Sequence, residues 1–116
     1  MTNVSLDFTQ ILGFQSAREV YGKKLVELGA ERKDIVVLTA DLLASNKLGE
    51  FQMAFPDRFF NVGVAEANMM GIAAGLALEG WVPFVSTFAT FASMRACEQV
   101  RTDIAYVNLS VKIIAT

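Results

Sequence analysis

The stretch Arg58 to Gly80, RFFNVGVAEANMMGIAAGLALEG, restricts the possible folds more than any other part of the chain. Phe59, Phe60, Asn61 and Val62 read as a short buried strand, because bulky apolar residues cluster there between charged and turn residues. From about Ala65 to Leu78 the pattern turns helical, and Gly80 stands where a helix is stopped. At the strand-to-helix turn lies a single carboxylate, Glu66, and the next charge after it is Glu79. A lone acid at the mouth of so apolar a segment needs a partner or a use.

The rest of the chain repeats this strand-then-helix order. Residues 1–14 show no clear period and read as a lead-in. Ser16-Ala17-Arg18-Glu19 matches a capping box. Val20, Tyr21, Leu25 and Leu28 then fall on one helical face, with Gly29 as the expected end. Ile35 to Thr39 reads as a central strand, followed by a loop (ADLLASNK) and a short helix from Leu48 to Ala54 closed by Phe55-Pro56. After the focal segment come a strand over Val82–Ser86, a longer helix from about Thr90 to Tyr106, and a strand over Val111–Ala115. Alternation at this spacing predicts βαβ units in one domain spanning 1–116: an α/β fold with a parallel β-sheet covered by helices on both faces. In such a sheet the functional loops lie beyond the carboxyl ends of the strands, and a chain ending at Thr116, directly after a strand, looks cut there.

Composition excludes several functions. The net charge of −2, from 10 basic and 12 acidic residues, offers no basic footprint for nucleic acid or an acidic membrane. The longest apolar run, Met69 to Leu78, is far short of the roughly 20 residues needed to span a bilayer. With no histidine and one cysteine, this chain has no Ser-His-Asp triad, Cys-His dyad, Cys/His zinc site or disulfide. No metal ligands are assigned. No signal-peptide pattern opens the chain, so a cytoplasmic setting is the default expectation. Residues 1–58 carry 15 of the 22 charges, so the second half is expected to be more deeply buried or to dock on a partner.

Four positions follow strand ends and are expected along one sheet edge: Asp41, Glu66, and Phe88 with Phe91. Burial of Glu66 disfavours its charged form, whereas a helix N-terminus favours the anion. A carboxyl balanced between these can share a proton with a buried basic nitrogen; alternatively it is a plain N-terminal helix charge. Phe88 and Phe91, three apart, either wall a flat heterocycle or pack in the core. Asp41 binds a ligand or caps its loop, and Arg18 holds an anion or a surface carboxylate. Gly71 and Gly75, among Ala73, Ala74 and Ala77, make a helix open to close approach, at a subunit interface or in a crowded core. No GxGxxG or Walker-type loop occurs, and Cys97 reads as a buried small hydrophobe.

The runs DIVVLTADLLASN, FPDRFFNVGVAEANMMGIAAGLALEG and PFVSTFATFASMRACEQVRTDIAY, taken together, resemble the pyrimidine-binding domain of transketolases. The nearest kind is the C-terminal subunit of a split transketolase, and the likeness covers about residues 16 to 116. What the resemblance implies is thiamine diphosphate chemistry. Glu66 matches the catalytic glutamate that hydrogen-bonds N1′ of the aminopyrimidine, so that the 4′-nitrogen can take the proton from the thiazolium carbon C2. A two-carbon unit then passes from a ketose phosphate to an aldose phosphate. Phe88 and Phe91 match the aromatics on the aminopyrimidine, Asp41 an aspartate close to the cofactor, and Arg18 and Ser45 the holders of the sugar-phosphate's anion.

Departures from the family pattern bound this reading. Ala67 stands where many full-length transketolases have histidine, and Met94 where an aromatic is frequent. The Gly-Asp-Gly…Asn motif for Mg²⁺ and diphosphate is absent, which assigns the metal to a diphosphate-binding domain or subunit. The Gly-rich, histidine-containing segment expected after Thr116 and the family's third domain are absent too, so the resemblance implies half an active site, inactive alone and expected to dimerise. The alternatives are another thiamine enzyme (deoxyxylulose-phosphate synthase or a 2-oxoacid dehydrogenase β-subunit) and a non-catalytic α/β interaction module. The last predicts an exposed, unpaired Glu66.

Overall fold

A computed structural model describes residues 13–116, so most of the expected lead-in lies outside the described residues. Helix α1 (Ala17–Glu31) leads into β1 (Ile35–Thr39), a loop, the short α2 (Gly49–Ala54) and a 3₁₀ turn, Pro56–Arg58. There follow β2 (Phe59–Asn61), α3 (Glu66–Leu78) and β3 (Val82–Thr87). A broken helical segment then comprises the π-helical turn Phe91–Arg95, one α-helical turn, α4 (Cys97–Gln99), and a second π-helical turn, Val100–Ala105, before β4 (Lys112–Ala115). The four strands form one wholly parallel sheet in the order β2-β1-β3-β4, as the alternation of the sequence requires.

β1 occupies the middle because it is apolar on both faces. Val36 and Leu38 point into one core layer with Met69, Met70, Ala73, Val85, Ala96 and Ile104, whereas Ile35 and Val37 enter the other with Leu25, Leu48, Phe51 and Phe59. The period-two alternation of a strand thus feeds two separate cores. β2 is an edge strand, and this corrects its reading as buried: Phe59 is buried, but Phe60 and Asn61 are exposed.

Helix ends differ from expectation in instructive ways. Ser16 is the N-cap of α1, yet its hydroxyl makes no capping bond; its carbonyl instead accepts the amides of Glu19 and Val20. The capping box is therefore not formed. Glu19 turns instead toward Lys47, 3.8 Å away. Val20, placed by its spacing on the apolar face, is exposed. Gly29 does not end α1, which runs to Glu31; it is buried because a Cβ there would stand 2.7 Å from Phe51 and 2.8 Å from Phe55. The Arg58 guanidinium donates to the carbonyls of Gly29 (2.8 Å) and Arg32 (2.9 Å), serving the carbonyls that the helix end leaves open. α3 ends as its sequence predicts: Gly80, at φ 91°, donates to Ala77, and Trp81 donates to Leu76, a Schellman closure.

The expected continuous helix over Thr90–Tyr106 is instead interrupted. Ala96 donates to the carbonyl of Phe91 and Tyr106 to that of Arg101, five residues apart in each case. Ser93 Oγ also donates to the Ala89 carbonyl at 2.7 Å, a back-bond that loosens the helical ladder at this point. Cys97, expected to be buried, is exposed. Nor is the second half the more buried one: Val64, Ile72, Leu78, Met94, Tyr106 and Val107 are all exposed. Of the two readings of the Gly71/Gly75 stripe, the crowded core is excluded, since a Cβ on either glycine would meet nothing within 4 Å.

Between β1 and β3 runs a buried polar line. Thr39 Oγ1 donates to the Ser86 carbonyl at 3.1 Å, and Tyr21 Oη lies 2.7 Å from Ser86 Oγ. Burial, the main cause, pushes the Tyr21 phenol up to about 12, against a smaller lowering by its bond to Ser86. A raised value means that the folded protein holds this proton more tightly than the unfolded chain, so the stability is complete below about pH 10 and is lost as pH climbs toward 12. Urea unfolding of the wild type should therefore show a decline of about 2 kcal/mol across that window. Tyr21→Phe should flatten it; an equally steep decline in the variant would discard the assignment.

Candidate functional site

All four strands are parallel, so the loops after β1, β2 and β3 open on one edge of the sheet. The chain goes from β1 outward to β2, then crosses back to β3 on the other side of β1. The strand order therefore reverses between β1 and β3, and a ligand crevice belongs at that place. Asp41 and Ser45 follow β1, Glu66 follows β2, and Phe88 and Phe91 follow β3, so the expected residues share this edge.

Glu66 is the first residue of α3 and is 1% exposed. Its partner is Arg95, whose Nη1 donates to Oε2 at 3.1 Å; the arginine side chain itself is 48% exposed. Glu66 is thus neither exposed nor unpaired, which removes the observation that an interaction module required. The Arg95 guanidinium also lies over Phe91, 4.0 Å from the ring centroid. Phe91 and Phe88 pair at 5.8 Å with a 37° tilt, and Arg18 sits 5.8 Å from the centroid of Phe88. Arg18, Phe88, Phe91, Arg95 and Glu66 therefore form one continuous row.

Asp41 belongs to a neighbouring group. It adopts a left-handed conformation, φ 62°, which aspartate tolerates better than most side chains. Its backbone amide donates to Asn61 Oδ1 at 2.9 Å, and Asn61 Nδ2 donates back to Asp41 Oδ1 at 3.3 Å. Gly63 N–H uses the same Asn61 oxygen at 3.1 Å. One amide side chain thereby holds the β1 and β2 loops together. Ser45 is part-buried in the β1 loop. Beside it, buried Asn46 accepts from Thr116 Oγ1 at 3.0 Å, while Asn46 Nδ2 and Thr87 Oγ1 find no hydrogen-bond partner among the described residues.

Two residues of this edge were not picked out from the sequence. Asn61 carried no signal beyond its place at a strand end. Arg95 did carry one: no Lys or Arg occurs between Arg58 and Arg95, so a buried Glu66 had few cations available to it.

The row can seat a flat, nitrogen-containing ring, with aromatic faces from Phe88 and Phe91 and a buried carboxyl edge from Glu66. This suits the aminopyrimidine half of thiamine diphosphate. Among the described residues no group of three or more His, Cys, Asp or Glu could hold a metal ion.

Fold and edge together define a parallel α/β domain whose strand-order reversal carries one buried carboxylate, Glu66, in a row with two aromatic rings. The family model for the transketolase pyrimidine binding domain matches residues 15–116, and the chain belongs to that family. It is 50% identical over 103 residues to a transketolase C-terminal section from Methanocaldococcus jannaschii, covering 89% of this chain and 33% of that protein. A solved split-gene transketolase, described as an inactive beta4 tetramer, superposes with a TM-score of 0.78 at 59% identity, covering 84% of this chain and 33% of that one. The 1-deoxy-D-xylulose-5-phosphate synthase of Streptomyces griseus is 48% identical over 86 residues, 74% of this chain and 13% of the synthase. The chain thus spans a third or less of these relatives.

Proposed function

We propose that this chain is the pyrimidine-side half of a transketolase active site, completed by a diphosphate-binding domain or subunit that carries Mg²⁺. The observation that carries this reading is the buried Glu66 at the start of α3, in one row with Phe88 and Phe91. When bound, thiamine diphosphate supplies a nucleophilic carbon that carries a two-carbon ketol unit from a ketose phosphate to an aldose phosphate. Glu66 holds a proton at N1′ of the aminopyrimidine, and its burial excludes water from that bond. Phe88 and Phe91 fix the ring's plane. Asp41, held in place by Asn61, would stand close to the cofactor once it is bound. Arg18 and Ser45 take the anionic end of the sugar phosphate, where a guanidinium and a hydroxyl supply charge-assisted bonds. A dimer of pyrimidine domains completes the assembly.

A second reading, deoxyxylulose-phosphate synthase, has the support of the Streptomyces relative. It uses the same Glu66 but a different donor, so pyruvate and ketose phosphates offered separately to the assembled enzyme distinguish the two.

Calorimetric titration of thiamine diphosphate with Mg²⁺ into this chain, with and without the partner subunit, tests the half-site. Binding should appear only in the complex and disappear in Glu66→Ala. A verified, folded complex that takes up no cofactor would end the proposal.

A further inference from the structure

We propose that Arg95 is a gate on the cofactor seat: its guanidinium holds the two contacts that the aminopyrimidine would need, so the ring binds only when Arg95 swings away. This rests on the thiamine reading given above. A guanidinium is flat, carries N–H donors in its plane and stacks on aromatic faces. Arg95 uses all three properties: Cζ is 4.0 Å from the Phe91 centroid, and Nη1 donates to Glu66 Oε2 at 3.1 Å. A pyrimidine carrying a proton on its ring nitrogen would use the same aromatic face and the same carboxyl. The two occupants exclude each other.

The site's construction says which partner yields. Glu66 is 1% exposed and fixed at the head of α3, whereas the Arg95 side chain is 48% exposed and can turn to solvent with its own charge hydrated, as the incoming ring takes over the carboxyl. Arg95 also closes the π-helical turn Phe91–Arg95, just after the Ser93 back-bond. No other acidic side chain lies within ion-pair distance of Arg95 among the described residues. Its pair with Glu66 therefore keeps the carboxyl satisfied until a ring replaces it. A seat that is open only part of the time binds its ligand with an affinity reduced by the open fraction.

The test uses the assembled enzyme, this chain with its diphosphate-binding partner, and thiamine diphosphate with Mg²⁺ as the probe. Arg95→Gln removes the cation and the stack, and its dissociation constant should fall about tenfold below the wild-type value. Arg95→Lys keeps a cation but loses the planar fork, and should bind about threefold tighter; it also gives the answer if glutamine disturbs the fold. Equal or weaker binding by both variants, with unchanged thermal midpoints, would overturn the gate and make Arg95 part of the seat. If the wild-type complex bound no cofactor at all, the thiamine reading would fall and the gate with it. Wild-type binding without any gain in the variants removes the gate alone.

Discussion

Glu66→Ala in the assembled enzyme should reduce turnover by about a thousandfold or more, within the range of a positioned acid–base group. Glu66 is the only charged side chain between Arg58 and Glu79 and is fully buried at the start of α3, so water cannot replace it at a ring nitrogen. Its loss should leave the fold almost intact. Arg95, already half exposed, can turn to solvent, so no unpaired charge is left inside. The helix loses one favourable N-terminal acid, a cost of about 0.3–1 kcal/mol. The decisive measurement is thus turnover set beside the thermal midpoint. Near-normal activity with an unchanged midpoint would refute the catalytic assignment; lost activity with a collapsed midpoint would show that Glu66 is needed for folding instead.

Gly22→Ala should be the most damaging small substitution to stability, at about 3 kcal/mol. A Cβ on Gly22 would overlap the carbonyl oxygen of Lys47 and also stand 3.3 Å from the Lys47 carbonyl carbon and Cβ. A flexible side chain could give way, but this obstacle is backbone. Lys47 is itself left-handed at φ 56°, and its loop is tied by the bonds Asn46 to Leu42 (2.9 Å) and Leu48 to Leu43 (3.0 Å). Asn46 and Leu48 on either side are completely buried. Helix α1 would therefore have to move off the β1 loop, disturbing the Arg18 contact with Phe88. The thermal midpoint should fall by roughly 10–20 °C. The neighbouring Lys23→Ala, on the exposed face, should change stability by no more than about 0.5 kcal/mol. A Gly22→Ala protein within 1 °C of wild type would contradict the close approach.

Several features were legible because they depend on local rules. The β1 run IVVLT is apolar from Ile35 to Leu38 and buried at all five positions, as a strand covered on both faces requires, and the sheet places it in its interior. Gly80 stops α3 because its left-handed conformation costs glycine nothing. Errors arose where a distant contact outweighed a local one. Ser16 and Glu19 have the letters of a capping box, but Glu19 faces Lys47. Gly29 has the look of a stop, yet it is small because Phe51 and Phe55 press on it, and Arg58 serves the carbonyls near the helix end. Helical spacing after Thr90 gave no warning of the two π-helical turns; the first coincides with the Ser93 back-bond, which spacing does not show.

By itself the sequence determined the parallel α/β order, the strand that lies at its centre, and the set of residues that follow strand ends. It does so because periodicity and turn chemistry act over a few residues. Only the tertiary structure decided which of those residues meet. Arg95 stands 29 positions from Glu66 and Tyr21 65 positions from Ser86. Such pairs are made when separate elements pack on one sheet, where a buried carboxylate or phenol must find its partner among whatever side chains the fold brings near.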